Sequence, residues 1–479
     1  MKRRQAYISI LLLSAAMAAS CGKNFLEEEP STAVSVNGAI LTEGDMMEAL
    51  AGTYRIMNGY FLYGRNALLW GDLLADNVYT SSSNSGRLLP WNSYMYVAGN
   101  AEATQLWGQH YYAILQANRI LAVNLPETAT TGQLKGEAYA LRAFLYLNLV
   151  NWYAKPHTVN PAADGVPLVT VPTSIGGAFI KPARGTVAQV YDQIISDLDK
   201  AFDLMPATTP AIHAGNTNFL SKYAVKALQA RAYLYKGDYE NARDAALLVV
   251  QNGGYTLAST AAAFTSYWAS NAARTDKLET IFELNNSAAA NNGVEGLDYM
   301  YSRTGLGDML VTDDTYALYT ATDRRRDLIF DGTRGGQQVY YVNKYQNTGV
   351  ADRDEIKLLR YAEVLLTLAE SYARLEDETN ALIYLNMVAQ NRDPQLVAYA
   401  FTGPALVDAI IRERRKELAF EGLRFFDLAR TNVDFTRQNM GAKAYSSYVD
   451  VKTTDFRRIL PIPEVELSAN PSIVPNPGY

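Results

Sequence analysis

Apolar residues recur every three or four positions along much of this 479-residue chain, the period of helices that bury one face. From Met46 through Leu50, Tyr54 and Met57 the pattern predicts a helix opening just after Thr42 and Glu43. Three longer helices follow at about 104–124, 133–153 and 186–204, carried by Trp107, Ile114 and Leu121, by Leu141, Leu145 and Trp152, and by Val190, Ile194 and Leu198. Residues 221–252 predict a helical hairpin. Ala224, Leu228, Ala232 and Tyr235 rise on one helix, Gly237 ends it, Asp238 caps the next, and Ala242, Ala246 and Val249 run back. That spacing of alanine, glycine and tyrosine is the one a tetratricopeptide unit uses. A second hairpin is predicted over 355–392, with Leu358, Ala362, Leu365 and Ala369 ascending and Ala381, Leu385 and Val388 descending.

The helical period breaks in three places. Between Lys155 and Gly185, Pro156, Pro161, Pro167, Pro172 and Pro182 forbid a helix and predict a long loop with an extended piece near Val166–Val171. Residues 254–350 are rich in Asn, Ala, Gly, Ser and Tyr and sustain no helical pattern. The tail from Ile459 to Tyr479 is proline-rich and predicted to lie extended against the scaffold. The fold class expected is therefore mostly all-α, a single domain over 41–479. It divides into a scaffold at about 41–253 and 351–430, a loop-rich, ligand-binding insertion at about 254–350, and a tail at 431–479.

Charge gathers at residues 410–430. A helix predicted from Pro404 to Gly422 sets Glu413, Glu417 and Glu421 on one ridge. Paired carboxylates can hydrolyse glycosides, but a general acid needs surroundings that raise its pKa. Here Arg and Lys interleave with every carboxylate, the arrangement of a structural ion-pair network. No phosphate-binding loop, Gly-x-Ser-x-Gly elbow or His-Glu-x-x-His occurs, and His110, His157 and His213 stand alone. The chain is thus expected to have no catalytic residues, no metal site and no cofactor. Asp72 and Asp76, four apart, are read as tethers to a neighbouring helix rather than metal ligands.

The N-terminus changes the picture of where the chain works. Lys2, Arg3 and Arg4, an apolar run from Ile8 to Ala19, and small residues before Cys21 form an export signal over 1–20, followed by a polar tether over 21–40. Cys21 is the only cysteine, so no disulfide can form within the chain. No later stretch is long and apolar enough to span a bilayer. Without the signal the net charge falls from −6 to about −9, and with no basic stretch a nucleic-acid partner is excluded.

The chain holds 33 Tyr, and two polar stretches concentrate its aromatic rings. Sugars present C–H faces that lie on aromatic rings and hydroxyls that need polar partners. On that ground Trp91, Tyr94 and Tyr96 in one stretch, and Trp268, Tyr299 and Tyr301 in the other, are the expected ligand-binding residues. They are expected to stand as exposed platforms that the scaffold brings to one face, with Tyr340 and Tyr341 as the alternative.

Cys21 after Ala18, Ala19 and Ser20 resembles the lipidation site of bacterial lipoproteins, with Ala18 where leucine is usual. The chain as a whole resembles the SusD/RagB family. The residues that carry the likeness run end to end: Gly71-Asp72 with Ala75-Asp76-Asn77, Gly136-Glu137-Ala138 with Leu141-Arg142-Ala143, and Gly165-Val166-Pro167. They continue through Arg360-Tyr361-Ala362-Glu363, Glu413-Arg414-Arg415 with Glu417 to Gly422, and Pro461-Ile462-Pro463 with Asn476-Pro477-Gly478-Tyr479. This resemblance implies a tetratricopeptide-like scaffold and a binding protein rather than an enzyme. It implies lipid anchoring at Cys21 on the outer-membrane surface, oligosaccharide as ligand, and a SusC-like TonB-dependent transporter as partner. A surface carbohydrate-active enzyme, or a binder of peptides, is the competing reading.

Overall fold

A computed structural model describes residues 40–173, 180–208, 210–213 and 215–479; the export signal over 1–20, Cys21 and the tether as far as residue 39 lie outside the described residues. Thr42 opens the first helix, Glu43–Met57, with a capping box in which it exchanges hydrogen bonds with Asp45. Thr128 and Thr186 repeat the device ahead of Ala129–Tyr153 and Val187–Leu204. Ala129–Tyr153 is the spine, packed between Ala101–Leu121 and Val187–Leu204 and buried on nearly every side. A helix enclosed in this way loses its polar face, which is why its sequence reads as almost continuously apolar near Leu145–Val150.

Both predicted hairpins form. Lys222–Lys236 ends at Gly237, which sits at φ +80°, and the Asp238 side chain caps Tyr239–Asn252. Tyr361–Arg374 and Glu378–Arg392 make the second, and Tyr361–Arg374 packs directly on Tyr239–Asn252. Two units far apart in the chain are therefore adjacent in space. Leu358 departs from the expectation: it lies on the strand Ile356–Arg360, paired antiparallel with Thr280–Leu284, and not on the ascending helix. Five buried residues in a row carry no period by which to tell strand from helix.

The helix expected over 404–422 stops at Glu417. Beyond it, the fully buried Asp72 carboxylate accepts the backbone N–H groups of Phe420 and Gly422. Phe420 and Gly422 both take positive φ to reach it, and Gly422 rests against the backbone of Leu68 and Gly71. Glu421 consequently leaves the ridge of Glu413 and Glu417. Asp76 accepts Arg424 Nε at 2.8 Å and Arg415 Nη1 at 3.2 Å, so both early aspartates act as tethers.

The region 254–350 is more regular than its composition suggests. Four antiparallel strands lie in the spatial order Val78–Thr80, Met309–Val311, Gln337–Val342 and Ile329–Arg334. Gly335 and Gly336, both at positive φ, close the last hairpin in two residues. The tail is mostly extended but includes a short helix, Glu464–Ala469. It is fixed to the spine where Leu460 N donates to Trp152 O and Asn476 Nδ2 donates to Tyr153 O.

One buried acid gives the fold a pH dependence. Burial, and then the neighbouring Glu283, push Glu355 up from the ordinary 4.5 to about 8. Folded Glu355 keeps its proton where the unfolded chain has released it, so this group takes stability away as pH rises from about 4.5 to about 8. Glu355→Gln should remove that loss. Urea midpoints at pH 5 and pH 8.5 should show the variant gaining on the wild type at the higher pH; an unchanged difference would contradict the assignment.

Candidate functional site

The carboxylates that sequence alone could offer to chemistry are spent on structure. Glu417 is buried and accepts Arg360 Nη1 at 2.9 Å, Arg392 Nη2 at 3.0 Å and Arg325 Nη1 at 3.2 Å. Glu413 pairs with Arg325 at 2.6 Å, and Glu421 with Arg360 at 2.7 Å and with Lys344. Burial alone would raise the Glu417 pKa, but Arg392, Arg360 and Arg325 outweigh it and hold the carboxyl well below its usual range. That is the reverse of what a general acid requires. Among the described residues, no group of three or more His, Cys, Asp and Glu side chains gathers to hold a metal ion.

Five of the six aromatic residues expected as platforms are buried, and that expectation is corrected. Trp91 is sandwiched between Trp70, 3.6 Å away, and Tyr96, 4.8 Å away. Tyr94 and Tyr96 donate their hydroxyls to the carbonyls of Leu74 and Arg457. Trp268 packs against Phe264 and Tyr267 and lies under Lys344 and Arg360, at 4.6 and 5.2 Å. Tyr301 stacks on Tyr345 at 5.9 Å. Only Tyr299 keeps a half-exposed ring, and of the alternatives Tyr340 is half-exposed and Tyr341 buried. An aromatic ring in a polar loop either turns out to a ligand or folds back to cover the core; these five fold back, each onto another ring, stacked or edge-on.

Polar side chains instead join the segment 58–87, which precedes the first stretch, to residues 285–334. Glu295 accepts both Arg65 and Arg87, the latter at 2.8 Å. Ser85 donates through its backbone N–H and its hydroxyl to the buried Asp308, which also takes Arg334 Nη2 at 3.0 Å. Asn58 Nδ2 donates to the carbonyls of Asn285 and Ala290, and Asn292 Nδ2 returns a bond to Asn58 O. A Cβ on Gly64 would stand 2.1 Å from Asn58 O and 2.4 Å from Asn292 Nδ2, so glycine is what lets this turn close on the second loop.

Half-exposed rings border this junction. Tyr60 and Phe61 lie 4.1 Å apart with Arg65 4.9 Å over Tyr60; Arg353 sits 5.4 Å over Tyr299; and Arg303 covers Phe330 at 4.5 Å. Burial would raise the Glu295 pKa, yet Arg87 and Arg65 hold it below the ordinary carboxylate range, leaving an ionised acceptor that is 30% exposed beside the 35% exposed Arg87. Flat apolar faces, guanidinium donors and a carboxylate acceptor together can hold a polyhydroxylated ligand. Arg65, Arg87 and Glu295 carry no spacing signal in the sequence; only the contact between the loops reveals them.

Two family models match the chain: residues 24–234 fit one described as SusD-like, starch-binding and associating with the outer membrane, and residues 331–479 fit that of the SusD family. The chain belongs to the SusD/RagB family. SusD family members are binding proteins associated with the outer membrane and are not enzymes, which sets aside the hydrolase reading of Glu413, Glu417 and Glu421. Among curated relatives, SusD-like protein P2 of Formosa agariphila is 25% identical with all of both chains covered. SusD-like protein P38 of the same organism is 25% identical over 88% of this chain and 90% of its own. A solved SusD superfamily protein from Bacteroides vulgatus is 28% identical, covers 92% of this chain and 100% of its own, and superposes with a TM-score of 0.83. A second from that organism, titled a putative sugar binding protein, is also 28% identical, with 92% and 99% covered and a TM-score of 0.82. These likenesses establish the mostly helical SusD-like fold.

Proposed function

We propose that this SusD-like protein captures oligosaccharides at the outer-membrane surface and passes them to a SusC-like TonB-dependent transporter for import. The observation that carries the ligand site is the junction where Arg65 and Arg87 share Glu295 between the half-exposed rings of Tyr60, Phe61 and Tyr299. Sugar rings would lie on the aromatic faces, with hydroxyls donating to Glu295 and accepting from Arg87. Aromatic anchors and arginines of this sort dominate recognition energetics. The family membership and the similar protein titled sugar binding support a glycan over a peptide. A glycan array identifies the ligand. Tyr60→Ala and Arg87→Ala should then each weaken binding of the best array hit by roughly 1 kcal/mol or more; affinities equal to the wild type would sink this site.

The anchor follows from Cys21, where the basic, apolar and small-residue order of the leader ends. Lipidation there would hold the protein to the membrane. Cys21→Ala should abolish labelling by a palmitate analogue and move the protein from the membrane fraction to the soluble one. Equal labelling of wild type and variant would refute a lipid at this position.

A further inference from the structure

A cavity of about 410 Å³ lies apart from the loop junction and shares none of its residues. It is bounded by the turn Lys155–Val159, the end of the Arg424–Arg430 helix, the segment 453–459 and Pro477. Pro156, Val159, Phe456, Ile459 and Pro477 give it apolar walls, while Asn432, Thr453 and Thr454 add polar groups. Its size falls within the range of small-ligand sites.

The charges of this cavity do not balance. Arg458, only 8% exposed, donates Nη1 to Val433 O and Nη2 to Leu428 O, and no carboxylate pairs with it among the described residues. By contrast Arg142, Arg231, Arg325, Arg360, Arg392 and Arg430 are all buried against carboxylates. Asp455, the one acid in the lining, is held by Arg457 at 2.9 Å through both Nε and Nη2 and accepts the Tyr448 hydroxyl as well. Lys155, also in the lining, is exposed and makes no ion pair among the described residues. Burial lowers the Arg458 pKa, as expected where a guanidinium loses water without gaining a full counter-charge. A buried cation next to open space, with a second cation nearby and apolar walls, is a receptor for an anion carried on an apolar body.

We infer that this cavity binds a small organic carboxylate, its oxygens on Arg458 and Lys155 and its body against Phe456 and Pro156. The ligand body could be a sugar ring, as in a uronic acid, or an aryl-aliphatic chain. The probes that separate these are galacturonate and 3-phenylpropionate, each titrated by calorimetry beside its uncharged counterpart, galactose or 3-phenylpropanol. At least one carboxylate should bind tenfold or more tightly than its counterpart, and which one does so identifies the body. Arg458→Gln should weaken that binding at least tenfold. Should that variant fail to fold, Thr454→Trp serves instead, because it fills the cavity while keeping Arg458 in the chain and should also cost at least tenfold. Glycan binding at the loop junction should survive in both folded variants. No binding by either carboxylate, equal affinity for acid and uncharged counterpart, or carboxylate binding unchanged in Thr454→Trp would overturn the inference.

Discussion

Glu417→Ala is expected to cost about 3–5 kcal/mol of folding stability, the penalty for breaking a buried ion pair by removing one partner. Three arginines, Arg325, Arg360 and Arg392, converge on this carboxylate, and all are buried with it. Removing the glutamate takes one carboxylate from all three at once, leaving Arg325 with Glu413, Arg360 with Glu421 and Arg392 with Glu279, an enclosed cluster with one negative charge fewer. Urea unfolding followed by far-ultraviolet circular dichroism measures the loss. A variant that unfolds with the wild type would show that the network contributes little, and that these carboxylates are held for some other purpose. Glu417→Gln tests the same point more gently, since it keeps the shape and part of the hydrogen bonding while removing the charge.

Gly71→Ala should be at least as damaging as a typical overpacking change, about 3 kcal/mol or more, because a Cβ there would lie 1.9 Å from Gly422 O. The neighbour is backbone and cannot rotate away. Relief would require the 418–423 turn to move, and that turn is pinned by the Asp72 carboxylate through the N–H groups of Phe420 and Gly422. Gly52→Ala is the matched control. Gly52 lies inside Glu43–Met57 with nothing within 4 Å of its Cβ position, so alanine there should be neutral or stabilising by up to about 1 kcal/mol. Thermal melts of the two variants should therefore move in opposite directions or differ widely; similar melts would contradict the close approach of Gly71 to Gly422.

The helices were legible in the sequence because they bury one face and open on recognisable caps. Thr42, Gly237 and Asp238 each sit where the pattern places them. The end of the 403–417 helix was not legible. It is set by Asp72, some 350 residues away in the chain, which draws Phe420 and Gly422 out of helical geometry. Strands of three to six residues in 309–342 leave too short a run for an alternating pattern, although Gly335-Gly336 was a hairpin signal. For the candidate site, the sequence pointed to the stretch that holds Glu295, but the segment that meets it is 58–87 and not Trp91–Tyr96. It could not say which aromatic rings face outward, because Trp91 and Tyr299 differ only in what lies beneath them. The polar residues that join the loops are single charges in unpatterned stretches, visible only as contacts.

Ligand is expected at the loop junction and not on the buried tryptophans. Calorimetric titration of the best glycan-array hit against the wild type, Arg87→Ala and Trp91→Phe tests it most directly, with a thermal melt of each. Arg87→Ala should lose affinity by roughly tenfold at an unchanged melting temperature. Trp91→Phe should melt lower, since Trp91 is stacked in the core, while binding per folded molecule stays intact. Full affinity in Arg87→Ala together with lost affinity in a normally melting Trp91→Phe would contradict it.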